Sequence, residues 1–79
     1  MSQTSKLRWR CRRGTKELDV MLERFLDRHY PHLDEAGQAA FQRLLEEEDD
    51  RLIDWLLSDR ERPTDGPLAD IVARIRAAV

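Results

Sequence analysis

His29 and His32 stand as a His-x-x-His pair, a spacing that can offer two imidazoles to one metal ion. Pro31 lies between them and takes the two rings off a common helical face. The only cysteine, Cys11, is far away in sequence and no paired-cysteine pattern exists, so no metal site is expected. Cys11 itself sits among Arg10, Arg12 and Arg13, and cationic neighbours favour a reactive thiolate. No histidine is placed by a motif to complete a dyad with it, and a small half-buried thiol is the commoner arrangement. The acidic run Glu46 to Asp50 lacks the glycine and alternating ligands of a calcium loop. Three scattered glycines make no phosphate loop. The residues therefore point to no catalytic group, no metal ligand and no cofactor-holding side chain.

Two adjoining segments remain. Lys6, Arg8, Arg10, Arg12 and Arg13 form a basic head over residues 1–13 that contains Trp9 and no acid. The rest of the chain carries nine Lys/Arg against sixteen Asp/Glu, so a basic head meets an acidic body within a net charge of −2. Cations interleaved with an indole could grip nucleic acid, the charges on phosphates and the ring on a base. An acidic body would repel a polyanion just outside that footprint, and nucleic-acid domains usually present a basic surface overall. Nucleic-acid binding is accordingly the alternative reading, and no nucleic-acid partner is expected. An aromatic anchor flanked by arginines suits a protein interface better.

The second segment is Arg13-Gly14-Thr15-Lys16-Glu17. It reads equally well as an ordinary turn before a helix cap and as a contact tip. A glycine has no β-carbon, so a tip built on Gly14 can approach another surface closely, with Arg13 on one side and Glu17 one turn into the helix. Arg13 and Glu17 are both expected at the surface, where a substitution typically changes stability by under ~0.5 kcal/mol.

These side chains need elements to carry them. The chain has 79 residues, 41% hydrophobic and 38% charged, which suits one soluble domain over residues 1–79 with the basic head followed by a helical bundle over 15–79. A core of this size contributes roughly 3–5 kcal/mol and leaves no room for an enclosed active site, so an enzyme is not expected. No apolar run approaches the ~20 residues of a membrane span, and no hydrophobic stretch follows the N-terminal charges as in a secretory signal. With a single cysteine and hence no internal disulfide, a reducing, cytoplasmic compartment is expected.

Leu18, Met21, Leu22, Phe25 and Leu26 recur at helical spacing after Thr15, the expected N-cap, whose hydroxyl would accept an orphan backbone N–H. Pro31 ends that helix near Tyr30. Asp34 should cap a second helix carrying Gly37, Ala40, Phe41, Leu44 and Leu45 and running to about Glu48. Asp49 or Asp50 should cap a third, with Leu52, Ile53, Leu56 and Leu57 as its stripe and Trp55 at the flank. Ser58 to Gly66 reads as a loop, and Pro67 as the first position of a last helix whose stripe is Leu68, Ile71, Val72, Ile75 and Val79. A weak pattern over Ser5 to Arg12 allows a short N-terminal helix. The expected fold is all-α, a small antiparallel bundle of four main helices plus a short N-terminal one.

Trp9, Cys11-Arg12-Arg13-Gly14, Glu17-Leu18-Asp19, Leu22 and Phe25 together resemble the opening of the SdhE family, small FAD assembly factors of succinate dehydrogenase. The family's Arg-Gly-x-x-Glu signature is matched by Arg13, Gly14 and Glu17. The resemblance continues through Phe41, Leu44, Leu45 and Glu46, then Asp50, Leu52, Trp55 and Leu56, into the final helix. It implies a bacterial, cytoplasmic helical chaperone that binds the flavoprotein subunit of succinate dehydrogenase, and of the related fumarate reductase. Such a factor promotes covalent attachment of FAD to a histidine of that subunit, holds no FAD stably itself, and is expected to be a monomer when free. The resemblance places Arg13, Gly14 and Glu17 on the partner-binding surface. Charge and aromatic content extend that surface to Arg8, Trp9 and Arg12.

Overall fold

The computed structural model describes the backbone of residues 3–58 and 60–78, and side chains from Ser5 onward. Its elements are α1 (Gln3–Cys11), α2 (Lys16–Arg28), a 3-10 turn (Tyr30–His32), α3 (Glu35–Leu44), α4 (Asp49–Leu56) and α5 (Gly66–Ala77). All regular structure among the described residues is helical, as the absence of period-two patterning requires. The molecule measures 35 × 26 × 21 Å.

The α2 stripe buries Leu18, Leu22, Phe25 and Leu26, while Met21 is partly buried at its edge. His29 ends α2, and the turn that follows carries Tyr30 into the core. Asp34 caps α3 as expected, its Oδ1 accepting from the Gly37 amide at 2.8 Å. Phe41 is fully buried where the rings of Phe25 and Tyr30 meet it at 5.5 and 5.4 Å between centroids. The Tyr30 hydroxyl accepts from Gln42 Nε2 at 2.9 Å, which satisfies the polar end of a buried aromatic.

Several boundaries differ from expectation. α3 stops at Leu44, not near Glu48, because the chain tightens into a turn in which the Glu46 and Glu47 amides donate to the Arg43 and Leu44 carbonyls, both at 3.1 Å. That turn lets Leu45 enter the core. Asp49 and Asp50 lie inside the first turn of α4 with Glu48 at the N-cap, so they complement the helix dipole rather than cap it. Trp55 does not flank the α4 stripe; it belongs to it. In an eight-residue helix the inward positions are Leu52, Trp55 and Leu56, and Ile53 and Leu57 are only partly buried. α5 begins at Gly66 with Asp65 as cap, accepting from the Leu68 amide at 3.0 Å, so Pro67 occupies its second position. Leu68, Ile71, Val72 and Ile75 are buried as the periodicity requires, and Val79 lies outside the described residues.

α5 packs chiefly on α3 and also meets α4 and α2, while α1 lies along α2. Leu7 and Cys11 of α1 are buried in the same cluster as the rest of the core. Most of the basic head is thus a nine-residue helix with an apolar edge inserted into the bundle, and Arg12 and Arg13 follow it.

Candidate functional site

The link between α1 and α2 carries Arg13 and Gly14, and its shape follows from three local interactions. Gly14 has φ +89, a left-handed backbone that side-chain-bearing residues rarely adopt. The space where its β-carbon would stand holds no atom within 4 Å, so the glycine is required by backbone conformation and not by crowding. The Asp19 carboxylate accepts from the Arg13 amide at 2.6 Å and from the Gly14 amide at 3.3 Å. Thr15 occupies the N-cap position but makes no side-chain cap bond; Asp19, reaching back from the first turn of α2, takes the loop amides instead. The place of Asp19 in the motif does not by itself reveal this role. An acid in a first turn just after a glycine is the pattern that could have signalled it.

Arg13 is not exposed as the sequence leads one to expect. Its side chain is 15% exposed and points back into the molecule. Nη2 donates to the Leu45 carbonyl, and Nη1 donates to the Glu47 carbonyl at 3.0 Å and lies 3.5 Å from the Asp49 carboxylate. The physical reason is the turn after α3, which leaves carbonyl oxygens without helical partners; a guanidinium fork is suited to gather several of them. Arg13 therefore ties the α1–α2 link to the α3–α4 turn, thirty-odd residues away in sequence.

Glu17 is exposed on the first turn of α2, beside the open Gly14 tip. Trp9 is 69% exposed, by far the most accessible large apolar side chain among the described residues, with the Arg12 guanidinium 5.7 Å from its ring centroid. Arg8 pairs with Asp27, whose hydrogen bond and charge raise its already high pKa, and Arg12 lies 3.6 Å from Glu23. Three of the five head cations are thus turned toward acids of the body, and Lys6 and Arg10 have no ion pair with another described residue.

Cys11, which its arginine neighbours could have activated, is fully buried. Burial pushes its thiol up to about 12, Glu23 adds in the same direction, and Arg13 and Arg8 oppose without prevailing. A protonated, inaccessible thiol is a packing group. His29 and His32 are exposed, and no cluster of metal-ligating side chains forms among the described residues. No helix is long and apolar enough to cross a membrane among them.

The structure thus brings Gly14, Glu17 and Arg12 to the surface around the start of α2 and the end of α1, with Arg13 beneath. Exposed Trp9 lies one turn earlier in α1, and Arg8 is half-exposed against Asp27 toward the far end of α2. A family model described as "Flavinator of succinate dehydrogenase" matches residues 5–79. The chain is also similar to curated proteins named FAD assembly factor SdhE. The one from Pectobacterium atrosepticum is 38% identical over 72 residues, covering 91% of this chain and 81% of the relative. That from Xylella fastidiosa strain 9a5c is 40% identical over 76 residues, 96% and 77% of the two chains. That from Methylococcus capsulatus is 41% identical over 80 residues, 100% and 94% of the two chains.

Proposed function

The chain belongs to the family of flavinators of succinate dehydrogenase, and from that premise we propose that it binds the flavoprotein subunit of that enzyme and promotes its covalent flavinylation. The flavoprotein of fumarate reductase, a related subunit, is a second client. The observation that carries the reading is the clamped, open glycine tip beside exposed Glu17, within a motif that the family resemblance assigns to the partner. Asp19 and Arg13 hold that tip from inside, so it meets a partner with little ordering cost. Glu17 offers a carboxylate for charge-assisted hydrogen bonds, and Trp9 with Arg12 and Arg8 supplies an aromatic anchor with cations around it.

Flavin attachment is chemistry of the cofactor and of the enzyme that keeps it. The helper acts by preferring the subunit conformation in which flavin and histidine align. Each ~1.4 kcal/mol of differential affinity shifts that population tenfold. It acts in the bacterial cytoplasm as a monomer that neither retains FAD nor turns over substrate.

The nucleic-acid reading is less well supported, because Arg8, Arg12 and Arg13 are already engaged with Asp27, Glu23 and Asp49. The deciding experiment is in-gel flavin fluorescence of the denatured flavoprotein subunit, made with each variant as the only helper. Glu17→Ala should keep wild-type helicity and melting temperature yet lower covalent flavin severalfold. Gly14→Val should lower it further. Full flavinylation with both variants removes the tip from the mechanism.

A further inference from the structure

α2 buries one face, yet its opposite edge is not simply polar. Lys16, Val20 and Arg24 follow one another at i, i+4 and i+8, which stacks them in a row about 12 Å long on the helix surface. Val20 is 43% exposed, the only large apolar side chain besides Trp9 left so open among the described residues. Lys16 and Arg24 make no ion pair with any described residue, although acids are plentiful in this chain.

The row forms one bank of a groove of about 340 Å³ between α2 and the C-terminal end of α5. Its apolar floor is made by Met21, Phe25, Leu57 and Ile75. Glu17 stands at one end beside Lys16, and His29 lines the other. Apart from Glu17, every charged side chain lining it is cationic. Isolated exposed apolar residues are normal, whereas contiguous apolar surface rimmed by polar side chains marks interaction sites.

We propose that this groove is the docking site for a surface segment of the flavoprotein subunit that presents an apolar side chain between two carboxylates. The apolar group would cover Val20 and the floor, and the carboxylates would meet Lys16 and Arg24. The proposal rests on the assembly-factor reading, because Glu17 of the motif is also a wall of the groove, so one continuous contact would run from the Gly14 tip along α2. Charge argues against a second copy of this chain as occupant. Among the described residues, the one large apolar side chain that a second copy could offer from an exposed position outside α2 is Trp9, and it arrives with Arg10 and Arg12 to face Lys16 and Arg24.

Val20→Glu tests this without endangering the fold. It is a helix-favouring change at an exposed position, and the new carboxylate lies four residues from Lys16 and from Arg24, where i,i+4 ion pairs stabilise a helix. The variant should melt at or above the wild-type temperature while filling the groove edge with charge and halving the net charge of the row from +2 to +1. Binding to the purified flavoprotein subunit of succinate dehydrogenase from the same organism is measured by isothermal titration calorimetry. Val20→Glu should weaken it at least tenfold, and Lys16→Glu/Arg24→Glu should do the same, more so at low salt. Ala39→Glu, which adds the same charge at an exposed position of α3, should bind like wild type. Wild-type affinity in both groove variants overturns the groove and leaves the assembly reading standing. No binding by the wild type refutes that reading and the groove with it. A concentration-dependent dimer that Val20→Glu abolishes, with flavoprotein binding unchanged, assigns the groove to a second copy and overturns the proposal.

Discussion

Arg13→Ala tests the structure against the sequence most sharply. Removing the guanidinium deletes two hydrogen bonds to main-chain carbonyls, those of Leu45 and Glu47, and a contact to Asp49 at 3.5 Å. A hydrogen bond from a charged donor contributes ~1.5–3 kcal/mol when buried. The α3–α4 turn is only part-buried and water can replace the donors, so about 1 kcal/mol for each carbonyl is the better figure. The Asp49 carboxylate is 42% exposed, and its pairing adds under ~0.5 kcal/mol. Arg13 Nε is buried without an acceptor, a cost that the truncation relieves. The net loss is about 2 kcal/mol, roughly half the stability available to a domain of this size. For a domain of ~60–100 residues 1 kcal/mol corresponds to ~4–8 °C, so the midpoint should fall by about 10 °C. Thermal and urea unfolding followed by circular dichroism at 222 nm provide the assay. Arg13→Lys should fall in between, because one ammonium cannot span both carbonyls as a planar fork does. A variant that melts within ~2 °C of wild type would refute the tether and restore Arg13 to a surface role.

Three further outcomes follow from the same structure. Gly14→Ala should cost ~1–2 kcal/mol through its positive φ alone, since nothing crowds the new methyl; unfolding midpoints identical to wild type would mean the link adopts another conformation. Phe41→Ala empties a fully buried site between Phe25 and Tyr30 and should cost ~3–5 kcal/mol, leaving a chain without a cooperative melt. Cys11 should resist Ellman's reagent until the protein unfolds. Its folded pKa is raised to about 12, so its contribution is complete below the unfolded thiol value and is lost as pH climbs toward about 12. The stability advantage of wild type over Cys11→Ala should therefore shrink by about 2 kcal/mol between pH 7 and pH 10, measured by urea unfolding. A pH-independent difference would place the thiol in water.

Helix content and most of the core follow from the sequence by itself, because a helix repeats its inward face every three to four residues and both neighbours of any stripe position lie within one turn. The stripes of α2 and α5, the Asp34 cap and the stop at Pro31 are local in this sense. So is the identity of the motif, which is a string of adjacent residues. Trp55 shows where locality fails: in a helix of eight residues several stripes satisfy the pattern, and only packing against α5 and the core selects the one that includes it. Arg13 shows it again. A surface arginine and a buried tether have the same sequence, and the choice depends on unpaired carbonyls at Leu45 and Glu47 that exist only once α3 has ended and the chain has turned. The groove beside Val20 needs α5 to come alongside α2, about fifty residues later in the chain. Periodicity and capping are short-range and can be read one turn at a time. Burial of a polar group, or exposure of an apolar one, depends on which distant segment arrives beside it, and only the tertiary structure decides that.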